Sequence, residues 1–266
     1  MRVLINEDKK LCFWTSQKAG STILFIWFLK TIGQYDKALK VGLRRYRNQS
    51  GKWASWSQRK KEFLRNPDQD KYYKVALVRN PYARAVSIFL HCLERHPQNI
   101  SDRKLNPRLL AENPRVIVRV DYSKFGLTPN LSFHDFLLLL IENQKTKKGW
   151  FEGHTLPQLR RRIDISYFSQ IIKLESIEAE LDQLNQRFEL GVQYKDCDVP
   201  HHTERRTEEE TFETEHYNLG YRSLYDLYDG VFPDFHHFYT PEIIDLLAEI
   251  HGIDLESLDY PSPLAR

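Results

Sequence analysis

The sequence predicts an α/β fold with a central, mainly parallel sheet covered by helices on both faces. Three observations carry this. The apolar run Leu11-Cys12-Phe13-Trp14 leads into Gln17-Lys18-Ala19-Gly20-Ser21-Thr22 and then an apolar stretch over residues 23–32. That order reads as a strand, a glycine turn and an amphipathic helix. Tyr73-Lys74-Val75-Ala76-Leu77-Val78 reads as a buried strand ending in Arg79-Asn80-Pro81, where Asn80 suits an N-cap and Pro81 the first helical position. Residues 170–174 give a third short strand, followed by a charged amphipathic helix over 176–188.

The remaining elements fit one domain over residues 1–266. At 266 residues and 41% hydrophobic, the chain can bury one substantial core. A basic stretch containing Trp53 and Trp56 has helical character and precedes the second strand. Residues 97–130 carry Pro97, Pro107, Pro114 and Pro129 among mixed charges and read as an excursion from the core. Residues 132–143 form an apolar helix capped by Ser132. The last helix takes Thr240 as its cap, places Pro241 in its first turn and runs to about Ile250.

Composition removes several function classes. A net charge of +3 is too mild for a nucleic-acid binder, although 13% of residues are aromatic. The basic clusters Arg44-Arg45-Tyr46-Arg47 and Arg160-Arg161-Arg162 read equally well as solvated helix faces or as company for an anionic ligand. Three dispersed cysteines, Cys12, Cys92 and Cys197, give neither a disulfide framework nor zinc spacing and fit a reducing compartment. The N-terminus has no apolar stretch of signal-peptide length, and the apolar run over 23–29 is far short of a bilayer span. A soluble, cytoplasmic protein with no integral membrane segment is expected.

The turn at residues 17–22 is where the chemistry concentrates. A strand that turns through Gly20 into a helix aims several backbone N–H groups at one point, and the helix dipole adds positive charge there. Lys18 adds a full charge, and Ser21 and Thr22 add hydroxyl donors. The pattern departs from the nucleotide-triphosphate loop G-x-x-x-x-G-K-[ST], because the lysine precedes the glycine by two residues and no earlier glycine opens the loop. Arg79 falls at the carboxyl end of a strand, where open α/β sheets bind ligands, and Ser87 follows about two turns into the next helix. Such a pair suits a compact dianion such as a phosphate monoester.

Lys18-Ala19-Gly20-Ser21-Thr22 is similar to the phosphosulfate-binding loop of sulfotransferases that use 3′-phosphoadenosine 5′-phosphosulfate (PAPS). Arg79-Asn80-Pro81-Tyr82-Ala83-Arg84-Ala85-Val86-Ser87 resembles their 3′-phosphate motif. Gly153-His154-Thr155-Leu156-Pro157-Gln158 resembles a His-x-x-Pro-Gln element of the carbohydrate, sulfotransferase family 2-like branch. Ile171-Ile172-Lys173-Leu174-Glu175, Pro200-His201-His202 and the closing run from Tyr239-Thr240-Pro241-Glu242 to Asp259-Tyr260 also match that branch. The resemblance implies a P-loop-like three-layer fold, PAPS as donor, no metal, and a carbohydrate or glycoconjugate acceptor. The carbohydrate branch in eukaryotes usually carries a membrane anchor, and its absence from this sequence points to a soluble, bacterial-type member.

Within that resemblance each residue takes a role from what sulfuryl transfer requires. Lys18, Ala19, Gly20, Ser21 and Thr22 cradle the donor's 5′ end, and Lys18 meets the charge that builds on the leaving phosphate. Arg79 and Ser87 hold the 3′-phosphate, while Arg84 reads as a structural ion-pair residue. His154 is the candidate general base, with Glu152 as its replacement. His201 and His202 help line the donor site, with Arg205 or Arg206 reaching a phosphate. His236-His237 is not a metal pair, since adjacent side chains diverge. The competing readings are a phosphotransferase of the nucleotide-kinase kind and a non-catalytic relative that binds nucleotide or glycan. The missing G-K-[ST] order counts against the first, and the intact Lys18, Ser21, Thr22, Arg79 and Ser87 count against the second.

Overall fold

The computed structural model describes residues 2–43, 46, 56–94, 126–128, 130–146, 154–159, 164–197, 219–221 and 234–265. In chain order its main elements are β1 (Arg2–Asn6), β2 (Leu11–Thr15), α1 (Ser21–Thr31), α2 (Tyr35–Val41), α3 (Trp56–Arg65), β3 (Tyr73–Val78), α4 (Pro81–Glu94), α5 (Phe133–Lys145), β4 (Gln170–Lys173), α6 (Ile177–Phe188) and α7 (Pro241–Ser257). The chain divides into two compact units, Met1–Asn80 with Gln158–Pro200, and Pro81–Pro157 with His201–Arg266.

The first unit is built on a four-stranded sheet in the order β1-β2-β3-β4. β2, β3 and β4 are parallel, with Phe13 opposite Val75 and Leu77 opposite Ile172, and β1 runs antiparallel to β2 as an edge. Strand side chains alternate between faces, and β2 shows this directly. Phe13 meets Trp27 and Phe28 of α1 edge-on, at ring-centroid distances of 5.6 and 6.1 Å. Its neighbour Trp14 points the other way, onto Phe63 of α3 and onto Tyr167 and Phe168. Ile177, Leu181 and Leu184 of α6 join α1 on the Phe13 face, so helices pack on both sides of the sheet.

Three features of this unit differ from the sequence expectation. β1 was not expected; its five residues pair with β2 through a turn in which Asn6 Oδ1 accepts from the Lys9 amide at 3.0 Å. The short helix α2 was not expected either. It supplies Ala38 to the core around α1, as Tyr46, Leu190 and Cys197 also do. For that reason α1 is not amphipathic: residues Ile23 to Leu29 are all buried. A helix apolar on all sides belongs inside a core, and here the sheet covers one side while these residues cover others.

The second unit packs α4, α5 and α7 around a largely aromatic core. Phe89 lies against Phe133 and Phe136, and Phe133 meets Phe238 and Tyr239 edge-on. The buried Tyr239 hydroxyl donates to the Tyr82 carbonyl at 2.9 Å. The expected caps are present, with Ser132 Oγ accepting from the Asp135 amide and Thr240 Oγ1 from the Ile243 amide. α7 does not stop near Ile250. It bends at His251 (φ −118°, ψ 22°) and continues to Ser257, burying His251 and Asp254. Of the excursion expected over 97–130, only residues 126–128 and 130 are among those described.

Candidate functional site

The turn between β2 and α1 takes its shape from two left-handed residues, Lys18 at φ 64° and Gly20 at φ 74°. Gly20 occupies the N-cap position, and no side chain caps the helix behind it. The backbone angle of Gly20 favours glycine, and a β-carbon there would also press on the ends of two leucine side chains, standing 2.5 Å from Leu174 Cδ1 and 3.2 Å from Leu77 Cδ2. Lys18 has no such licence, and its left-handed backbone costs roughly 1–2 kcal/mol. The Thr15 hydroxyl braces the turn from below, within hydrogen-bond reach of the carbonyls of Ser16 (3.2 Å) and Ala19 (3.4 Å). Ala19 is buried, Gly20 and Ser21 are half-buried and Thr22 is exposed. The first turn of α1 carries no acidic residue, so nothing there opposes the positive end of the helix dipole.

Arg79 follows β3 and reaches this turn. Its Nη1 donates to the Lys18 carbonyl at 3.2 Å. Its main chain is gripped by the side chain of Gln158, which is wholly buried. The Arg79 amide donates to Gln158 Oε1 at 2.8 Å, and Gln158 Nε2 donates to the Arg79 carbonyl at 2.7 Å. One residue on, the Asn80 amide donates to Glu175 Oε1 at 2.9 Å. The Gln158 amide thus substitutes for a neighbouring strand at the point where the β3 ladder ends.

In the second unit, α4 sets Arg84, Ser87 and His91 on one face by their spacing of three and four. Arg84 is only 1% exposed, and its Nη2 donates to the carbonyls of His154 (3.0 Å) and Leu156 (2.8 Å). The His91 ring lies 4.6 Å from the His154 ring at an interplanar angle of 43°. Contacts at Arg84 and His91 therefore bring the His154 segment onto the face that carries the half-buried Ser87. The role seen for Arg84 is to anchor this loop through two main-chain carbonyls, where the sequence suggested a structural ion pair. Burial pushes the His251 imidazole below its usual range; Asp254, 3.7 Å away, opposes that shift and the Arg84 charge adds to it.

Glu152, His201, His202, Arg205 and Arg206 lie outside the described residues. Among the described residues no group of three or more His, Cys, Asp or Glu side chains could hold a metal ion, and no helix is long and apolar enough to cross a membrane. All three cysteines are buried and unbridged. Burial raises the Cys12 thiol far above its usual value and that of Cys197 to about 11, so neither is a thiolate nucleophile near neutral pH.

The chain is thus an α/β protein with a mostly parallel sheet, whose β2–α1 turn is tied to the arginine that follows β3. The family model described as "Sulfotransferase family" matches residues 1–261, and the chain belongs to that family. No curated protein and no solved structure matches the chain.

Proposed function

We propose that this protein transfers the sulfuryl group of PAPS to a hydroxyl of a carbohydrate or glycoconjugate acceptor, with the whole chain acting as one domain of P-loop-like, three-layer type. The observation that carries the reading is the turn at Lys18 and Gly20 bonded through the Lys18 carbonyl to Arg79. One element suits the 5′-phosphosulfate and the other the 3′-phosphate, and the family match supports sulfuryl transfer. The left-handed conformations of Lys18 and Gly20 support a turn whose backbone amides converge on an anion. The carbohydrate branch is favoured by the stretches around His154, Glu175 and Tyr239.

PAPS supplies an activated sulfuryl group. Residues 18–22 orient it through backbone amides and the Ser21 and Thr22 hydroxyls, and Lys18 neutralises the charge that develops on the leaving phosphate oxygen. Arg79 and Ser87 bind the 3′-phosphate. His154 takes the proton of the acceptor hydroxyl as the new O–S bond forms and the S–O bond to phosphate breaks. No metal is assigned to the reaction, because Lys18 and the α1 N-terminus provide the positive charge that magnesium provides in phosphoryl transfer.

Calorimetric titration with adenosine 3′,5′-bisphosphate, with ADP as control, tests the donor site. Preferential binding of the bisphosphate is expected, and equal or absent binding overturns the reading. Arg79→Ala removes a charge-assisted hydrogen bond worth about 1.5–3 kcal/mol, so bisphosphate affinity and donor KM should worsen by roughly tenfold to a hundredfold. A fall in kcat with unchanged KM would instead move Arg79 to the transition state. His154→Gln should keep bisphosphate affinity and lose about 10²–10⁴ in transfer rate. Full activity in that variant would return the base role to Glu152.

A further inference from the structure

The sulfotransferase reading names Arg79 and leaves open what aims it. An arginine side chain has four rotatable bonds, and its value to a phosphate depends on how little freedom it must lose on binding. The main chain at Arg79 and Asn80 carries three side-chain hydrogen bonds of 2.7 to 2.9 Å, two from Gln158 and one from Glu175. Each is well within normal N–H···O range. Gln158 occupies both the donor and the acceptor of Arg79, and Glu175 takes the next amide along. The guanidinium then leans on the Lys18 carbonyl. The strand end, the arginine and the cradle are thereby held as one rigid piece.

We propose that Gln158 and Glu175 are positioning residues that set affinity for the 3′-phosphate by fixing the backbone of Arg79 and Asn80. The inference rests on the donor assignment above. It also explains an acidic group one residue from an anion-binding arginine. The Glu175 carboxylate opposes a dianion electrostatically, so its presence there calls for a positive contribution, and the hydrogen bond to the Asn80 amide is one.

Two variants at Glu175 separate these effects. Glu175→Gln and Glu175→Ala both remove the charge, but only the glutamine keeps an oxygen to accept from the Asn80 amide. The side chain is exposed, so both variants should fold, and thermal melts check this. Affinities for adenosine 3′,5′-bisphosphate and adenosine 5′-phosphate are measured for the two variants and the wild type. For the bisphosphate, Glu175→Ala should bind roughly fivefold to tenfold more weakly than Glu175→Gln, the effect of one net hydrogen bond. For the 5′-phosphate the two variants should agree within about twofold. Hydrogen exchange at the Asn80 amide should speed up in Glu175→Ala and stay slow in Glu175→Gln. Equal bisphosphate affinities, parallel losses for both ligands, or unchanged exchange would each overturn the positioning role. A wild type that fails to prefer the bisphosphate would instead overturn the donor assignment beneath it.

Discussion

Lys18→Ala should cut sulfuryl transfer by about 10²–10³ in kcat, the loss seen when one donor aimed at developing charge is removed. The fold should survive. The structural work of Lys18 is done by its main chain, whose carbonyl accepts from Arg79 and whose φ of 64° shapes the turn. Alanine leaves that carbonyl in place and bears a left-handed penalty of similar size to that of lysine. Bisphosphate affinity should therefore stay within a few fold, and thermal stability should barely move. Lys18→Arg keeps the charge but exchanges a compact ammonium for a broad planar fork, and should recover only part of the rate. Single-turnover kinetics with saturating donor gives the readout. Transfer within a few fold of wild type in Lys18→Ala would remove leaving-group stabilisation from this residue.

Much of the sheet and of the anion turn was legible because those signals are local. The β3 boundaries follow from an apolar run closed by Arg79-Asn80-Pro81, and the caps at Ser132 and Thr240 follow from a hydroxyl three residues before a free amide. The features missed depend on distant partners. The apolar run of α1 looks like one buried face in isolation, and only α2, Tyr46 and residues 190–197 reveal why its other faces are apolar too. The last helix was expected to end at about Ile250, whereas it bends at His251 and continues to Ser257 with His251 and Asp254 buried. The clamp on Arg79 had no local physical signature in the sequence. Gln158 is 79 residues away and Glu175 is 95 from Asn80, and each bonds to main chain, which every residue possesses. Both stood inside stretches singled out by resemblance, and that was the available signal.

Arg84→Met should cost both stability and turnover while sparing donor affinity. The guanidinium is buried and donates to two carbonyls of the His154 loop, so a methionine of comparable length fills the space and leaves both acceptors without their donor. Each unsatisfied buried acceptor costs about 1–3 kcal/mol. For a chain of this size each kcal/mol lowers Tm by roughly 2–4 °C, so a clear fall in Tm is expected. Arg84→Lys keeps the charge but lacks the planar fork that serves both carbonyls, and should fall between wild type and Arg84→Met. The decisive comparison is between ligands and rates. The cradle and Arg79 have their own bonds to Thr15, Gln158 and Glu175, whose donors and acceptors the substitution does not remove, so bisphosphate should still bind within a few fold. His154, the proposed base, loses its fixed position, and proton abstraction tolerates displacement poorly because reacting atoms must meet at hydrogen-bond distance. Transfer should therefore drop well beyond the change in donor affinity at a temperature where the variant is fully folded. Equal losses of bisphosphate binding and transfer would mean that Arg84 supports the donor side, and an unchanged Tm would mean that its two carbonyl bonds contribute nothing net.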